Sequence, residues 1–395
     1  MAKFNTSSGD DLEKSFLTKT EFVDRYAGSQ LWTWGRNDFG QLGLGDTLTN
    51  RTKPEQVVAI KGSNRTAANI ALETSWKKVS CRNKKSYAIK TDGTLWYWGS
   101  YSTNTPNTFT QIANYGDGSY EMSSGDDHAA VITYSGSIVS IGSNLYGQIG
   151  DGTTTDKTTL TLLISGNTSW KKVSCGSNNT SAIKTDGTLW SWGKNDFGQL
   201  GDGTSIHKSS PVQSISTSNS WNEISCGGNH TLGIKTDGTL WSWGLNNYGQ
   251  LGDGTVVSKS SPVQIPGTSW KKVFAGVEIS AAIKTDGTLW LWGRNDIGQL
   301  GDNTITHRSS PVQTIAGGTN WKLIDCGKNH CLSIKTDGTV WSWGGDSYGE
   351  LGAAIAGTNR SSPVQLGIGA TGGLANSWKQ VSCGDNYSAM IGLNV

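Results

Sequence analysis

Histidine, cysteine, lysine and glycine-rich loops are where chemistry would be sought first in this chain. His128, His230 and His330 each lie four residues after one repeated position, occupied by Ser124, Cys226 and Cys326. The same offset brings Lys85, Asn179, Ile279 and Tyr387 into register with them, so histidines alternate with other residues along the chain. Zinc takes ligands at about 2.0–2.1 Å from residues that converge locally. Alternate repeats do not supply a neighbouring pair, so the three read as hydrogen-bonded loop histidines near one face, with no metal. His207 and His307 precede Ser-Ser-Pro in variable loops and read as surface contacts.

Cys81, Cys175, Cys226, Cys326 and Cys383 share one repeat position, filled elsewhere by Ser124 and Ala275. Disulfides need Cα atoms about 4.4–6.8 Å apart, less than the roughly 10 Å between packed sheets. Bridges between repeats are therefore excluded, and the extra Cys331 is expected to be a free thiol. The Gly-Gln-Leu-Gly-Asp-Gly loops lack the Gly-Lys-Ser/Thr ending and following helix of a phosphate loop, so their glycines read as turn formers. Lys77-Lys78, Lys171-Lys172 and Lys271-Lys272 set cations at one height, one of each pair pointing outward. No Ser-His-Asp, Cys-His-Asn or paired-carboxylate set stands outside the repeat. The sequence thus implies no catalytic residues, cofactor or metal.

What positions these residues is a period of about fifty. Trp-x-Trp-Gly recurs with glycines at 35, 99, 193, 244, 293 and 344, and Ile138–Gly142 is a degenerate copy. A full unit runs Ser-Trp-Lys-Lys-Val-Ser-Cys-Gly, Ser-Ala-Ile-Lys-Thr-Asp-Gly-Thr-Leu-Trp-Ser-Trp-Gly, Gly-Gln-Leu-Gly-Asp-Gly-Thr and Ser-Ser-Pro-Val-Gln. Asp-Gly between alternating runs predicts a hairpin with a type I′ turn. Pro211, Pro262, Pro311 and Pro363 suit only a sheet edge. The 18 tryptophans all fall on repeat positions, which assigns them to packing between units and leaves none for a private aromatic cage.

Units this small must stack. The first, from Gly28, lacks its two leading strands, and the chain ends on Ser377–Gly384 and Ser388–Gly392, which are those strands without a successor. The fold expected is all-β, a seven-bladed β-propeller over residues 29–395 closed by pairing of N- and C-terminal strands, with an N-terminal arm at 1–28. Charged residues at 16% and a net charge of +2 argue against nucleic acid as a partner. No apolar run reaches the roughly 20 residues of a membrane span. The polar residues 1–11 imply synthesis in the cytoplasm without an export signal.

The in-phase Gly-Gln-Leu-Gly after Trp-x-Trp-Gly, with Gly-x-Asn-His-Thr at Gly227–Thr231, resembles the regulator of chromosome condensation repeat family. That resemblance covers residues 29–395, apart from residues 100–119, which lack the loop, and it implies a seven-bladed propeller. The regular wording of the repeats is similar to bacterial and phage members, and the leader Gly9–Gly28 resembles arms that precede such propellers in tailed-phage structural proteins. The resemblance implies a non-enzymatic virion component of tail, baseplate or capsid, with other virion proteins or a host surface component as partner. The arm would be the anchor through Phe4, Leu12, Phe16, Leu17, Phe22, Val23 and Tyr26, docked on the ring or on a partner. The alternative is a cytoplasmic bacterial protein-interaction module, inhibitor-like or GTPase-regulator-like. The insertion at 61–74 and residues 100–119 are further places for partner recognition.

Overall fold

The computed structural model describes residues 28–46, 49–60, 70–72, 75–100, 109–114, 121–164, 168–215, 219–353, 356–367 and 378–393. Seven antiparallel four-stranded sheets account for the repeats, and Val58–Ile60, just before the insertion, pairs with Ile70–Leu72 within it. Blade 4 shows the plan. Its strands Trp170–Cys175, Asn179–Lys184, Leu189–Gly193 and Lys208–Gln213 run in that order from the ring axis outward. The first strand of each blade meets the first strand of both neighbours, which is possible only around a central channel. Pro211 sits in the outermost strand, as its missing N–H requires.

Blade 1 is built from both ends of the chain. Ser29–Gly35 pairs along its full length with Tyr387–Leu393, Trp378–Cys383 lies inside them and Arg51–Gln56 outside. Blades 2 to 7 open at Trp76, Glu121, Trp170, Trp221, Trp270 and Trp321. The ring is therefore closed, as the split repeat requires.

The Asp-Gly hairpins differ from the expected type I′ turn. Gly187 alone takes a positive φ of 80°, its N–H donates to the Lys184 carbonyl, and Lys184 N–H donates to the Thr188 carbonyl. This is a type I turn closed by a left-handed glycine, which leaves the aspartate in an ordinary conformation. The Asp186 side chain is used instead as an acceptor. Its carboxylate takes Thr188 N–H and Oγ1–H at 2.9 and 2.7 Å, and Thr188 Oγ1 accepts the indole N–H of Trp190 at 3.0 Å. Asp-Gly-Thr-x-Trp is thus one hydrogen-bonded relay, present in five blades.

Neighbouring blades are fastened by the Gly-Gln-Leu-Gly loop. It leaves the third strand, enters the cleft to the next blade, and its glutamine carbonyl accepts the indole N–H of that blade's second Trp-x-Trp tryptophan. The bond recurs at six clefts, Gln41 to Trp98, Gln148 to Trp192, Gln199 to Trp243, Gln250 to Trp292, Gln299 to Trp343 and Glu350 to Trp34, at 2.8–3.0 Å. All six rings are fully buried. An acceptor for a buried indole N–H is worth about 1–3 kcal/mol, which ties this tryptophan to the loop.

The seventh cleft demonstrates the rule by exception. Blade 2 has no such loop after Gly99, and blade 3 carries Ile141 where other blades have the tryptophan. Ala129 stands opposite it, in the slot where Thr180 or Thr231 donates to the loop carbonyl elsewhere. Donors and acceptor have vanished as a set, leaving an aliphatic seam of Ile89, Leu95, Met122, Val131 and Ile141.

The innermost strand has an open edge, and it is capped from the neighbouring blade. Ser382, Ser80, Ser123, Ser174 and Ser225 each accept an N–H from the next inner strand at 2.9–3.0 Å. Blade 6 carries Phe274 at this position, and Asp325 of blade 7 makes up the loss. One of its carboxylate oxygens accepts Cys326 N–H and the other Cys383 N–H. Burial raises this carboxyl to about 6 against those two bonds.

Trp243→Phe should lower stability by about 1–3 kcal/mol, because it removes the indole donor from a buried carbonyl. Ile141→Trp should also destabilise, although it restores the repeat consensus, since no loop carbonyl awaits its N–H. Urea titration of both variants checks this; a neutral or stabilising Ile141→Trp would contradict the pairing of loop and indole.

Candidate functional site

The two ends of the ring differ. The Asp-Gly turns crowd one end, and in blades 4 to 7 the start of the inner strand hydrogen-bonds to the preceding blade's turn, as Trp221 N–H does to the Gly187 carbonyl. The long loops after Trp-x-Trp-Gly rise from the other end. These loops are irregular in side chain but rigid in backbone. Asn195 holds blade 4's loop from within: its amide donates to Asp202, Thr204 O and Ile206 O at 3.1–3.2 Å, and its oxygen accepts Leu200 N–H at 3.0 Å. Asn144, Asn246 and Asn295 repeat this.

On this scaffold aromatics and cations interlock across clefts. Arg36 lies over Tyr348 at 4.8 Å, Lys84 over Phe39 at 3.8 Å, Lys194 over Tyr146 at 5.2 Å and Arg294 over Tyr248 at 5.7 Å. In each pair the cation belongs to the blade that follows the aromatic. Arg36, Lys194 and Arg294 also pair with Asp38, Asp196 and Asp296 at 2.5, 3.3 and 2.7 Å. Blades 3 to 6 add apolar tips to this polar frame: Leu145 and Ile305 are each 67% exposed, Ile206 64% and Val257 59%. Between the loops of blades 4 and 5 runs an open groove of ≈ 570 Å³, lined by Phe197, Thr204, Ile206 and Ser258 among others. Apolar tips set in fixed charge on a rigid frame are the make-up of a protein-binding surface.

The histidines are not surface groups near this face. His128, His230 and His330 begin the second strands of blades 3, 5 and 7 and are wholly buried. Each Nε2 is 2.9 Å from a hydroxyl of the next blade, on Thr180, Ser280 and Ser388. That hydroxyl gives its one hydrogen to the loop carbonyl of Gln148, Gln250 or Glu350, so the histidine must be the Nε2–H donor. Burial holds all three rings at about 3, hence neutral. His207 and His307 are exposed as expected, and each Nδ1 accepts the N–H of its loop asparagine while the ring meets Tyr146 or Tyr248 edge-on. Among the described residues no group of three His, Cys, Asp or Glu is placed to hold a metal ion.

Cys331 is not a free thiol. It is bonded to Cys326, with Cα atoms 4.2 Å apart, because the two are direct register partners on adjacent strands. Spacing considered between blades overlooked the hairpin within one. Cys81, Cys175, Cys226 and Cys383 remain buried thiols, and burial raises the Cys81 and Cys175 thiols to about 12. The first lysine of each Lys-Lys pair lies at a bulge, and in two pairs the second reaches the next blade, Lys78 to Glu121 at 2.5 Å and Lys172 to Glu223. Phe4, Leu12, Phe16, Leu17, Phe22, Val23 and Tyr26 lie outside the described residues, as does most of 100–119.

The loop of blade 7, which closes the ring onto blade 1, carries carboxylates where the others carry amides: Asp346 for asparagine and Glu350 for glutamine. Both keep the acceptor role, to Leu351 N–H at 3.0 Å and Tyr348 N–H at 2.7 Å. Burial raises both, Glu350 to about 7. A carboxyl raised in the folded state stabilises most fully below its unfolded value of 4.5, and that contribution is lost as pH rises through 7. Glu350→Gln should therefore raise stability at pH 8, by up to about 2–3 kcal/mol, with the gain shrinking toward pH 4.5. Denaturation of variant and parent across that range tests it; a pH-independent difference would contradict it.

The RCC1-like domain profile matches residues 100–390 and the RCC1 repeat profile residues 29–84. The chain belongs to the RCC1-like family. It is 31% identical over 246 residues to the ultraviolet-B receptor UVR8 of Arabidopsis thaliana, covering 59% of this chain and 53% of the receptor. To the Homo sapiens E3 ubiquitin-protein ligase HERC2 it is 25% identical over 374 residues, 91% of this chain but 6% of the ligase. The chain thus spans about half or less of these relatives. The crystal structure of Prp20p from Saccharomyces cerevisiae, described with its binding to Gsp1p and histones, superposes with a TM-score of 0.77 at 18% identity, covering 96% of this chain and 95% of that one. At that identity the likeness is one of fold.

Proposed function

We propose that this RCC1-like propeller is a non-catalytic protein-binding module that engages its partner through the loop face. The carrying observation is the apolar row Leu145, Ile206, Val257 and Ile305 on consecutive blades, set among charge-fixed aromatics on loops whose backbones are internally tied. The relatives support the general reading. Prp20p is described as binding Gsp1p and histones, and a second structure shows yeast RCC1 (Prp20) bound to Kap60.

The narrower form of the reading is a virion component mounted through residues 1–28, with the loop face turned to a partner or host surface. Its support is the wording of the leader and repeats, and the relatives named above, from Arabidopsis thaliana, Homo sapiens and yeast, add nothing to it. Detection of the chain in purified virions would establish this form, and its absence from them would remove it while leaving the protein-binding reading intact.

Ile206→Asp with Val257→Asp should weaken binding of a partner identified by cross-linking at least tenfold without altering the melting temperature. Asp237→Lys, on the turn end, should bind as the parent does. Undiminished binding by the loop-face variant would move recognition away from these loops.

A further inference from the structure

The turn-side mouth of the channel is charged in a way the loop face is not. In six of the seven blades the inner strand opens there with a bulge after its tryptophan, and a bulge re-aims the extra side chain. In five blades that residue is lysine: Lys77, Lys171, Lys271, Lys322 and Lys379. Since the inner strands surround the axis, these five residues stand around one end of the channel. The next position adds Lys78, Lys172 and Lys272, against Glu121 and Glu223 alone, and those two glutamates already pair with Lys78 and Lys172. Among the described residues, Lys171, Lys271 and Lys322 have no ion pair or hydrogen bond. Crowding is felt at Lys77, which burial and the charge of Lys78 lower to about 8.

The surroundings limit what fits. Outside the lysines stand the exposed turn aspartates Asp92, Asp186, Asp237, Asp286 and Asp337, so a polyanion stretched across the end of the ring would meet five like charges. Their neighbouring lysines are occupied, for Lys184 and Lys235 rest over tryptophan pairs at 4.1–5.1 Å. The bulged ring contains lysine and no arginine, so it offers point charges of the kind that bind phosphate rather than a planar bidentate fork.

We propose that this mouth binds a compact, multiply charged phosphate ligand on the ring axis, held by Lys171, Lys271 and Lys322 with Lys77 and Lys379 completing the circle. Calorimetric titration of the full chain with tripolyphosphate and with inositol hexakisphosphate tests this. Saturable one-site binding is expected for at least one of them. The triple variant Lys171→Gln, Lys271→Gln, Lys322→Gln should lose it about tenfold or more, and Lys53→Gln on the outer strand of blade 1 should not. Should the triple variant melt below the parent without ligand, Lys271→Gln alone carries the test, with a loss of about threefold. Heat no larger than sulfate gives at equal ionic strength would overturn the proposal, as would equal affinity in the variant. Equal or tighter binding of a single-stranded oligonucleotide would overturn it too, by showing an unselective polyanion surface.

Discussion

The structure depends on one hydrogen bond, repeated around the ring: an indole N–H of one blade given to the glutamine carbonyl of the loop reaching over from the blade before. Hydrophobic contact alone would let neighbouring blades slide, since aliphatic surfaces are indifferent to register. A buried donor with one acceptor fixes both angle and height, because missing it leaves an unsatisfied group. In five of the six joints the loop carbonyl also takes a hydroxyl from the second strand of the next blade, and in three of them that hydroxyl is in turn held by a neutral histidine. Loop geometry and ring geometry are therefore one problem. The face that presents the loops inherits its rigidity from the joints between blades.

Departures from the repeat come in compensating sets. Where the loop is missing after Gly99, both donors that would have used it are missing from blade 3, at Ile141 and Ala129. Where Phe274 replaces the serine that caps a neighbour's edge, the Asp325 carboxylate caps two edges at once. Where the ring closes on itself, Asp346 and Glu350 keep the acceptor geometry of the amides they replace but add a dependence on pH. Each set is intelligible as satisfaction of buried polar groups and none as relaxed constraint.

Much of the fold is legible from the period and from the unit split between the two ends of the chain. So is the edge position of the prolines, because a missing N–H acts locally. Contacts that depend on which blade a side chain turns toward are not. His128, His230 and His330 resemble loop residues from their place after glycine, yet they are the buried first residues of strands. The Asp-Gly signature names a hairpin correctly but not its turn, since the aspartate is retained for the Thr–Trp relay rather than for its backbone. An inter-blade distance separates Cys326 from its equivalents, but the distance that matters for Cys331 runs across one hairpin. Three of the four cation–aromatic stacks of the loop face have a signal in the residue after the Trp-x-Trp-Gly position and the residue before the Gly-Gln-Leu-Gly loop, visible only once blades are placed side by side.

The most direct test of the account is hydrogen exchange of the indole N–H groups, resolved by nuclear magnetic resonance. The six that donate to loop carbonyls, those of Trp34, Trp98, Trp192, Trp243, Trp292 and Trp343, should exchange slowest and together, at a rate set by unfolding of the whole ring. The five that donate to threonine on half-buried first tryptophans should exchange faster. Rapid exchange at Trp34 with protection at the other five would mean that the ring opens where its two ends meet, and would contradict a closure as strong as the remaining joints.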